Sequence, residues 1–155
     1  MNMLDPWYVT GFADGEAAFT YSRAGGSFGL YFSVKQREDN RQIVEEIRKF
    51  FNSVGQIYRG KESGGAPKSG LSKPYAYYRV TKSSELQVIV DHFDKFPLQS
   101  VKKFEAYKIW REMVIYKKDN YRKVNYDYLS VLAGKLSSLN LQSRAFKIHK
   151  RKWVR

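Results

Sequence analysis

Two carboxylates, Asp14 and Glu16, stand two residues apart at the end of a short helix-forming segment, in a chain that is otherwise strongly basic. The segment before them, residues 7–13, is apolar and rich in small residues, and a strand-like segment follows them. Carboxylates this close together favour the binding of a cation, most simply a divalent metal ion, where the helix ends. The alternative is a solvated turn that carries two surface acids.

The remaining residue types restrict what such a cation site can be. The 155-residue chain has no cysteine, which excludes disulfides, thiolate catalysis and cysteine-based zinc sites. Its two histidines, His92 and His149, lie in different segments. A metal site must therefore be built from oxygen ligands, which suit Mg²⁺, Ca²⁺ or Mn²⁺.

The excess of positive charge indicates an anionic macromolecular partner. The chain has 28 lysines and arginines against 15 acidic residues, for a net charge of +13. An excess of this size over one domain is typical of nucleic-acid binding. A membrane surface is the competing partner, but it favours one amphipathic cationic helix, whereas the basic residues here are spread through strand-like and loop segments. We expect nucleic acid, and neither a membrane nor a small molecule, as the partner.

The hydropathy of the chain predicts an intracellular, folded protein. No apolar run is long enough to span a membrane, and no secretion leader is visible. We therefore expect a protein that is not secreted, in the cytoplasm of a prokaryote or in an organelle with local translation. The length is that of one domain with a core of its own.

Apolar spacing, helix caps and turn residues predict an α+β domain in the order αββαββα, followed by C-terminal helices. The Asp-Pro pair at 5–6 is typical of a helix start, and Gly15 is expected to end that helix in the left-handed conformation. Asp39 is expected to cap the second helix, and Ser83 or Ser84 the third. The predicted helices are 6–14, 39–54, 83–95, 100–116, 125–138 and 142–153, and the predicted strands are 16–23, 28–36, 56–59 and 75–80.

Three blocks of sequence in this order closely resemble the LAGLIDADG homing endonucleases: Val9–Glu16, the strand end Phe32–Gln36, and Phe96–Lys103. The resemblance implies that residues 1–118 form an endonuclease core and that 119–155 are a basic helical extension of the same domain. Family members with one motif act as homodimers, and those with two fold as pseudo-symmetric monomers. Because the Asp-Gly-Glu run occurs once, the resemblance implies the homodimeric class.

The resemblance also implies the residues of an active site. Glu16 corresponds to the metal ligand of the family, with Ala17 beside it at the metal site. Gln36 matches the position that orders the water network at the scissile phosphate, and Lys102 matches the basic residue that polarises this network. A shift of register by one residue would assign that role to Lys103. The implied cofactor is Mg²⁺, with Mn²⁺ as a substitute and Ca²⁺ as a cation that binds without supporting cleavage.

Two further positions belong to the same part of the resemblance. Asp14 is expected to cap or brace the helix end rather than to bind metal. Asn40 falls where some relatives have an arginine. That departure leaves the site without a third basic residue unless Arg37 or Arg41 replaces it.

The motif also implies a dimer interface. Two copies of the first helix would pack side by side across a two-fold axis, and close approach of their backbones requires small residues on the contact face. One acidic residue from each subunit would then lie near the axis. The expected interface residues are Val9, Thr10, Gly11, Ala13 and Asp14.

The four strands are expected to form an antiparallel, saddle-shaped sheet with one face on the helices and the other in the major groove of DNA. The alternative for each polar strand residue is a solvated face. The expected DNA-binding residues are Ser22, Arg23, Ser27, Tyr31, Ser33, Lys35, Arg37, Arg59, Lys61, Lys73, Tyr75, Tyr77 and Arg79 on the strands and their loop, and Arg144, Lys150 and Lys152 in the tail.

Together these features predict a homodimeric homing endonuclease. It would bind a long pseudo-palindromic duplex and hydrolyse both strands across the central minor groove, leaving short 3′ overhangs, and its gene would lie in a mobile intron or intein. One alternative is a non-catalytic nucleic-acid binder or intron-splicing maturase on the same fold. Another, a basic ribosome-associated structural protein, explains the charge but not the acidic pair.

Overall fold

The structure is a computed structural model, and it describes residues 3–24, 27–61 and 74–139. Several sequence predictions lie outside these residues and stay predictions. They are the helix at 142–153 and the DNA contacts of Lys73, Arg144, Lys150 and Lys152. The backbone of Lys61 is described but its side chain is not, so its DNA contact also stays a prediction.

The described chain follows the predicted order αββαββα and continues into two further helices. A short 3₁₀ turn, Glu38–Asn40, precedes the second helix. The elements are α1 Pro6–Glu16, β1 Ala17–Ala24, β2 Ser27–Arg37, α2 Arg41–Phe50, β3 Gln56–Lys61, β4 Pro74–Val80, α3 Ser83–Lys95, α4 Val101–Asp119 and α5 Tyr126–Ser138.

The four strands form one antiparallel sheet in the order β1-β2-β4-β3. Alternate residues of β2 are fully buried beneath the helices: Phe28, Leu30, Phe32 and Val34. The residues between them are exposed or half-buried. This period of two is the one that a sheet covered on a single face requires. The predicted four-stranded antiparallel sheet is confirmed.

Aromatic rings fill the core between the sheet and the helices. Phe19 of β1 lies at the centre, with its ring centroid 5.2 or 5.3 Å from those of Phe32, Phe93, Tyr107 and Trp110. Edge-to-face contacts of this kind stabilise a core beyond the area that they bury. The core therefore fixes α3 and α4 against the strand that leaves α1.

The predicted helix boundaries were wrong at several ends. Gly15 does not end α1 in the left-handed conformation, because the helix continues through Glu16 and only Ala17 turns to extended backbone (φ −84°, ψ 154°). Asp39 lies in the 3₁₀ turn, and Asn40 takes the N-cap position of α2 without a side-chain cap. In α3 the predicted cap Ser83 is helical, and Lys82 precedes it.

The end of α2 is followed by a turn that requires glycine. The helix stops at Phe50, short of the predicted Val54, and Gly55 has φ +73°. A Cβ on Gly55 would lie 2.5 Å from the carbonyl oxygen of Arg79. The chain therefore passes closely over β4 before it enters β3.

A buried hydrogen-bond network ties α1 to α3. The Thr10 hydroxyl donates to the carbonyl of Phe96 at 2.8 Å, so its oxygen is left to accept from Nε2 of His92 at 3.0 Å. The rings of Phe50, Phe51, Phe93 and Phe96 surround the imidazole. Burial lowers the pKa of His92 to about 4.

The buried imidazole makes the free energy of unfolding depend on pH. Below pH 6.5 the unfolded chain binds a proton that the folded chain excludes, so stability present above that pH is lost as the pH falls toward 4. We expect a loss of up to about 1.4 kcal/mol per pH unit between pH 6.5 and pH 5. Urea unfolding at fixed protein concentration measures it. The His92→Phe variant serves as the reference, and an equal slope in both proteins would contradict the assignment to His92.

Candidate active site and nucleic-acid interface

The end of α1 is clamped to the start of α4 by Asp14. Its carboxylate accepts hydrogen bonds from the backbone N–H groups of Gln99 (3.0 Å) and Ser100 (2.9 Å) and from the Ser100 hydroxyl (2.6 Å). Burial raises the pKa of Asp14, but these hydrogen bonds outweigh it and hold the pKa below its usual value. Asp14 therefore braces the helix end, as expected.

Glu16 has the opposite environment. It is the last residue of α1, it is exposed, and it makes no hydrogen bond or ion pair with the described residues. Because the helix runs into β1 without a loop, the backbone that carries Glu16 is fixed by Asp14 on one side and by the buried Ala17 on the other. The chain thus presents one free carboxylate on a rigid support.

Two adjacent lysines of α4 lie at this end of α1 in different environments. The amine of Lys103 is half-buried and donates to the carbonyl of Ala17. Burial lowers the pKa of Lys103, while Asp14 and Glu16 act in the opposite direction. Lys102 is exposed and lines the same cavity as Gly15, Ala17 and Lys103. Lys103 therefore already has a partner, whereas Lys102 lies at an open space.

Gln36 lies near the end of β2, half-buried on the helix-covered side of the sheet. Its side-chain oxygen accepts a hydrogen bond from the amide of Asn40 at 2.9 Å. Arg41 is engaged by Glu38 and Glu45. Arg37 forms an exposed ion pair with Asp39 at 3.5 Å, so both arginines near Asn40 have acidic neighbours.

The donors at this end of α1 fit a hard divalent cation only in part. Glu16 offers a free carboxylate, and Ala17 can offer only its backbone carbonyl, which also accepts from Lys103. Within the described part of the chain, no three histidine, cysteine, aspartate or glutamate side chains converge on a common point. Oxygen ligands suit Mg²⁺, but one protomer supplies too few of them to enclose it.

The structure corrects the predicted dimer interface. Val9, Thr10 and Ala13 are at most 2% exposed and belong to the protomer's own core. Asp14 turns toward α4, so only Gly11 of the predicted set lies on the open side of α1. Four residues at helical spacing lie on the side of α1 that the described protomer leaves uncovered. We call this surface the open face of α1, and it consists of Tyr8, Gly11, Phe12 and Gly15.

The sheet surface opposite the helices has a distinctive composition. We call it the saddle face, and none of its described side chains is buried. It carries Ala18, Thr20 and Ser22 of β1, Ser27, Gly29, Tyr31, Ser33, Lys35 and Arg37 of β2, Tyr75, Tyr77 and Arg79 of β4, and Gln56, Tyr58 and Gly60 of β3.

Strand register removes two residues from the predicted DNA-binding set. Arg23 pairs with the buried Phe28 and stacks on its ring at 4.6 Å, so it belongs to the helix side. Arg59 pairs with the buried Ala76, which also assigns it to that side. The prediction for Arg59 was displaced by one residue along β3, and because side chains alternate between the two faces, that displacement assigned it to the wrong face.

Sequence reasoning missed Tyr58 and Gln56. Both lie on the saddle face, and the Tyr58 ring stacks on Tyr77 with centroids 5.1 Å apart. The signal was present: Ile57 is the apolar residue of β3, so the residues on either side of it had to face outward. The other strand residues of the predicted set, from Ser22 to Arg79, lie on the saddle face as expected.

Comparison with known sequences identifies related proteins. The sequence profile described as LAGLIDADG endonuclease matches residues 9–114, more than half of the chain. An uncharacterized 50.9 kDa protein in ND4 intron 1 of Podospora anserina is 27% identical over 124 residues, which are 74% of this chain and 25% of that protein. A probable intron-encoded endonuclease, Cox1-I1b, of Schizosaccharomyces pombe is 24% identical over 90% of this chain and 33% of its own length.

Solved structures share the fold. The LAGLIDADG meganuclease I-AabMI bound to uncleaved DNA matches with a TM-score of 0.72 and 27% identity over 94% of this chain and 48% of its own. The homing endonuclease I-TnaI matches with a TM-score of 0.70 and 23% identity over 97% of this chain and 96% of its own. The chain thus spans about half of the first of these proteins and a third or less of the two curated relatives. Across the described residues, the helices are too short or too polar to cross a bilayer.

Asp14 and Glu16 should differ sharply in their effect on stability. Asp14→Asn removes the charge and places an N–H₂ group among three donors, so we expect a loss of about 1–3 kcal/mol in the free energy of unfolding. Glu16→Gln, a matched amide substitution two residues away, should change it by less than about 0.5 kcal/mol. Urea unfolding of both variants measures the difference. Equal destabilisation would contradict the clamp.

Proposed function

Because the chain belongs to the LAGLIDADG endonuclease family, we propose that it is a site-specific endonuclease that cleaves both strands of a long, pseudo-palindromic DNA duplex. The observation that carries this proposal is the exposed carboxylate of Glu16 at the end of α1, near enough to Lys103 for its charge to act on that amine. Lys102 lines a cavity with the neighbouring residues Gly15 and Ala17. The saddle face supplies the DNA-binding surface, since its lysine, arginine and tyrosine side chains suit base edges and phosphates.

The proposed reaction is hydrolysis of a phosphodiester bond in each strand. Mg²⁺, held by Glu16 with the Ala17 carbonyl in reach, would supply charge neutralisation at the scissile phosphate, with Mn²⁺ able to replace it and Ca²⁺ supporting binding alone. Water adds to phosphorus, the bond to one ribose oxygen breaks, and the proton that the water loses is returned to that oxygen through solvent, which leaves one hydroxyl end and one phosphate end. Lys102 places its amine where negative charge builds up on the phosphoryl oxygens. Lys102 suits this role better than Lys103, whose amine is committed to the Ala17 carbonyl.

We assign Gln36 to the ordering of water at the same phosphate. Its side-chain oxygen accepts from Asn40, which fixes the orientation of the amide. The family resemblance supports short 3′ overhangs as the product. The intron-encoded relatives support an intron as the location of the gene, and hence synthesis inside a cell or organelle.

A second copy of the chain would complete the site. The open face of α1 combines two glycines with Tyr8 and Phe12, and a Cβ added to Gly11 or Gly15 would meet no atom of the described protomer within 4 Å. Two such helices can approach closely through the glycines while the aromatic rings pack around them. A homodimer would place two Glu16 side chains near one axis.

The alternative function is nucleic-acid binding without cleavage, as in an intron-splicing maturase. One observation favours it: Asn40 stands where some relatives carry an arginine, and the two nearby arginines are paired with acids. The free Glu16 and the exposed Lys102 favour the endonuclease, because neither is buried in the fold.

Cleavage itself tests the proposal. The protein with Mg²⁺ is incubated with a plasmid library of candidate targets, and linear products are sequenced at their ends. Double-strand cuts at one recurrent sequence are expected. Sequence-selective binding without any cut would reject the endonuclease and favour the non-catalytic binder, whereas no selective binding would reject both.

Glu16→Gln should abolish cleavage, with a loss of at least about 10³-fold, because the carboxylate that holds the cation becomes neutral. Its affinity for duplex DNA should stay within about threefold of the wild type, since the change removes a negative charge near the phosphates. Single-turnover cleavage and equilibrium binding measure the two quantities. Glu46→Gln, on α2, is the control and should cut normally; cutting by Glu16→Gln at the wild-type rate would refute the assignment.

Gly11→Arg should convert the dimer to a monomer of 18.2 kDa. A Cβ at Gly11 meets nothing within 4 Å inside the protomer, so the fold should be retained while the second helix is held away. Sedimentation velocity measures the mass, and thermal unfolding checks the fold. Gln42→Arg, on the exposed side of α2, should leave the mass unchanged. A wild-type protein that sediments as a monomer, alone and on DNA, would contradict the homodimer.

A further inference from the structure

Arg79 is held between two aromatic rings on the saddle face. Its guanidinium carbon lies 4.3 Å from the centroid of Tyr31 and 5.2 Å from that of Tyr77. Stacking on aromatic faces suits the flat guanidinium and restricts its rotamers. The side chain is therefore oriented before any ligand arrives.

The positive charge of Arg79 is not neutralised by an acidic side chain of the described residues. No carboxylate of the described chain forms an ion pair with it, and its Nε is buried without a hydrogen-bond partner. Burial of a polar group without a partner is unfavourable, and the Nε of Arg23 on the helix side shares this feature, but the stacking of Arg79 on two rings offsets part of the cost. Arg37, on the same face, differs: it is exposed and pairs with Asp39 at 3.5 Å.

The position of Arg79 indicates which part of a duplex it meets. It lies on β4, an inner strand of the sheet, so it faces the floor of a bound groove rather than the phosphates along its rims. Ser33 pairs with Arg79 on one side and with Ala18 on the other, and Ala18 is two residues beyond Glu16. These small neighbours leave room for a base edge above the guanidinium.

A cavity joins Arg79 to the candidate active site. Arg79, Tyr31 and Thr20 line one part of it, and Gly15 and Lys102 line another. A duplex that lies across the sheet with a scissile phosphate at this cavity would therefore present to Arg79 a base pair of the inner half-site.

We propose that Arg79 is a specificity-determining residue that reads one guanine in the inner part of each half-site, through bidentate hydrogen bonds to O6 and N7. Among the four bases, guanine alone offers two acceptors in the major groove in the spacing of the guanidinium fork. This inference rests on the proposed function. In a two-fold symmetric dimer it requires guanine at symmetric positions on opposite strands.

The test is selection of bound duplexes from a randomised library in the presence of Ca²⁺. The wild type should recover a pseudo-palindrome with guanine at one inner position of each half. Arg79→Ala should lose that preference, by about 10-fold or more at this position, with the other positions unchanged, and Arg79→Gln should move it from guanine toward adenine. Glutamine pairs with N6 and N7 of adenine and carries no charge, so a change of preferred base separates base reading from simple attraction.

Arg37→Ala is the matched control, and it should weaken binding to all sequences alike without changing the recovered motif. Thermal unfolding shows whether each variant is folded, and if Arg79→Ala is not folded, the result for Arg79→Gln decides. A motif that is identical in wild type and folded Arg79 variants would overturn this inference alone. A wild type that recovers no motif would overturn the proposed function as well.

Discussion

The contact between Asp14 and the start of α4 is the constraint on which the geometry of the candidate site depends. Helix α1 passes into β1 without a loop, so its orientation and the direction of the first strand are set together. Three hydrogen bonds from Gln99 and Ser100 then fix the first turn of α4, which carries Lys102, against the last turn of α1, which carries Glu16. Gly15 and Lys102, which are far apart in sequence, thereby line one cavity. The hydrogen bond between Thr10 and His92 holds α1 farther from this end.

Alternate residues of each strand lie on opposite faces of the sheet, so one face packs in the core and the other is available to a ligand. On one face, aromatic and aliphatic side chains form the core. On the other, tyrosines support cations: Lys35 lies 3.9 Å from the ring of Tyr75, and Arg79 lies between Tyr31 and Tyr77. A net charge of +13 opposes folding by self-repulsion unless a polyanion neutralises it. The tyrosines hold some of that charge in fixed positions, where a duplex can meet it.

Much of the fold could be predicted from the sequence, because hydrophobic period and turn residues are local signals. They indicated all four strands and the order of the helices. Helix ends were less predictable, since Gly15 can end a helix or continue it and the outcome depends on contacts with α4. The prediction of which residues face the ligand was wrong in the shortest strand. In β3, Ile57 was the one aliphatic residue that could show which face is covered by the helices, and Arg59 was assigned to the saddle face in place of Tyr58. The predicted dimer interface included buried residues of α1 for a similar reason, because small residues such as Ala13 suit a contact between helices and a core equally.

Helical geometry explains why Asp14 and Glu16, so close in sequence, have different tasks. Residues two apart on an α-helix project about 200° from each other around its axis. When Asp14 binds Ser100, Glu16 points to another side of the helix end, still near enough for its charge to favour the protonated form of Lys103. Within the described residues, the two carboxylates therefore do not converge on one cation. In the proposed homodimer, the open face of α1 would bring the Glu16 of a second copy beside the first and so supply the ligand that one protomer lacks. Under that proposal, the contact of Asp14 that stabilises one protomer also makes its candidate site depend on the second.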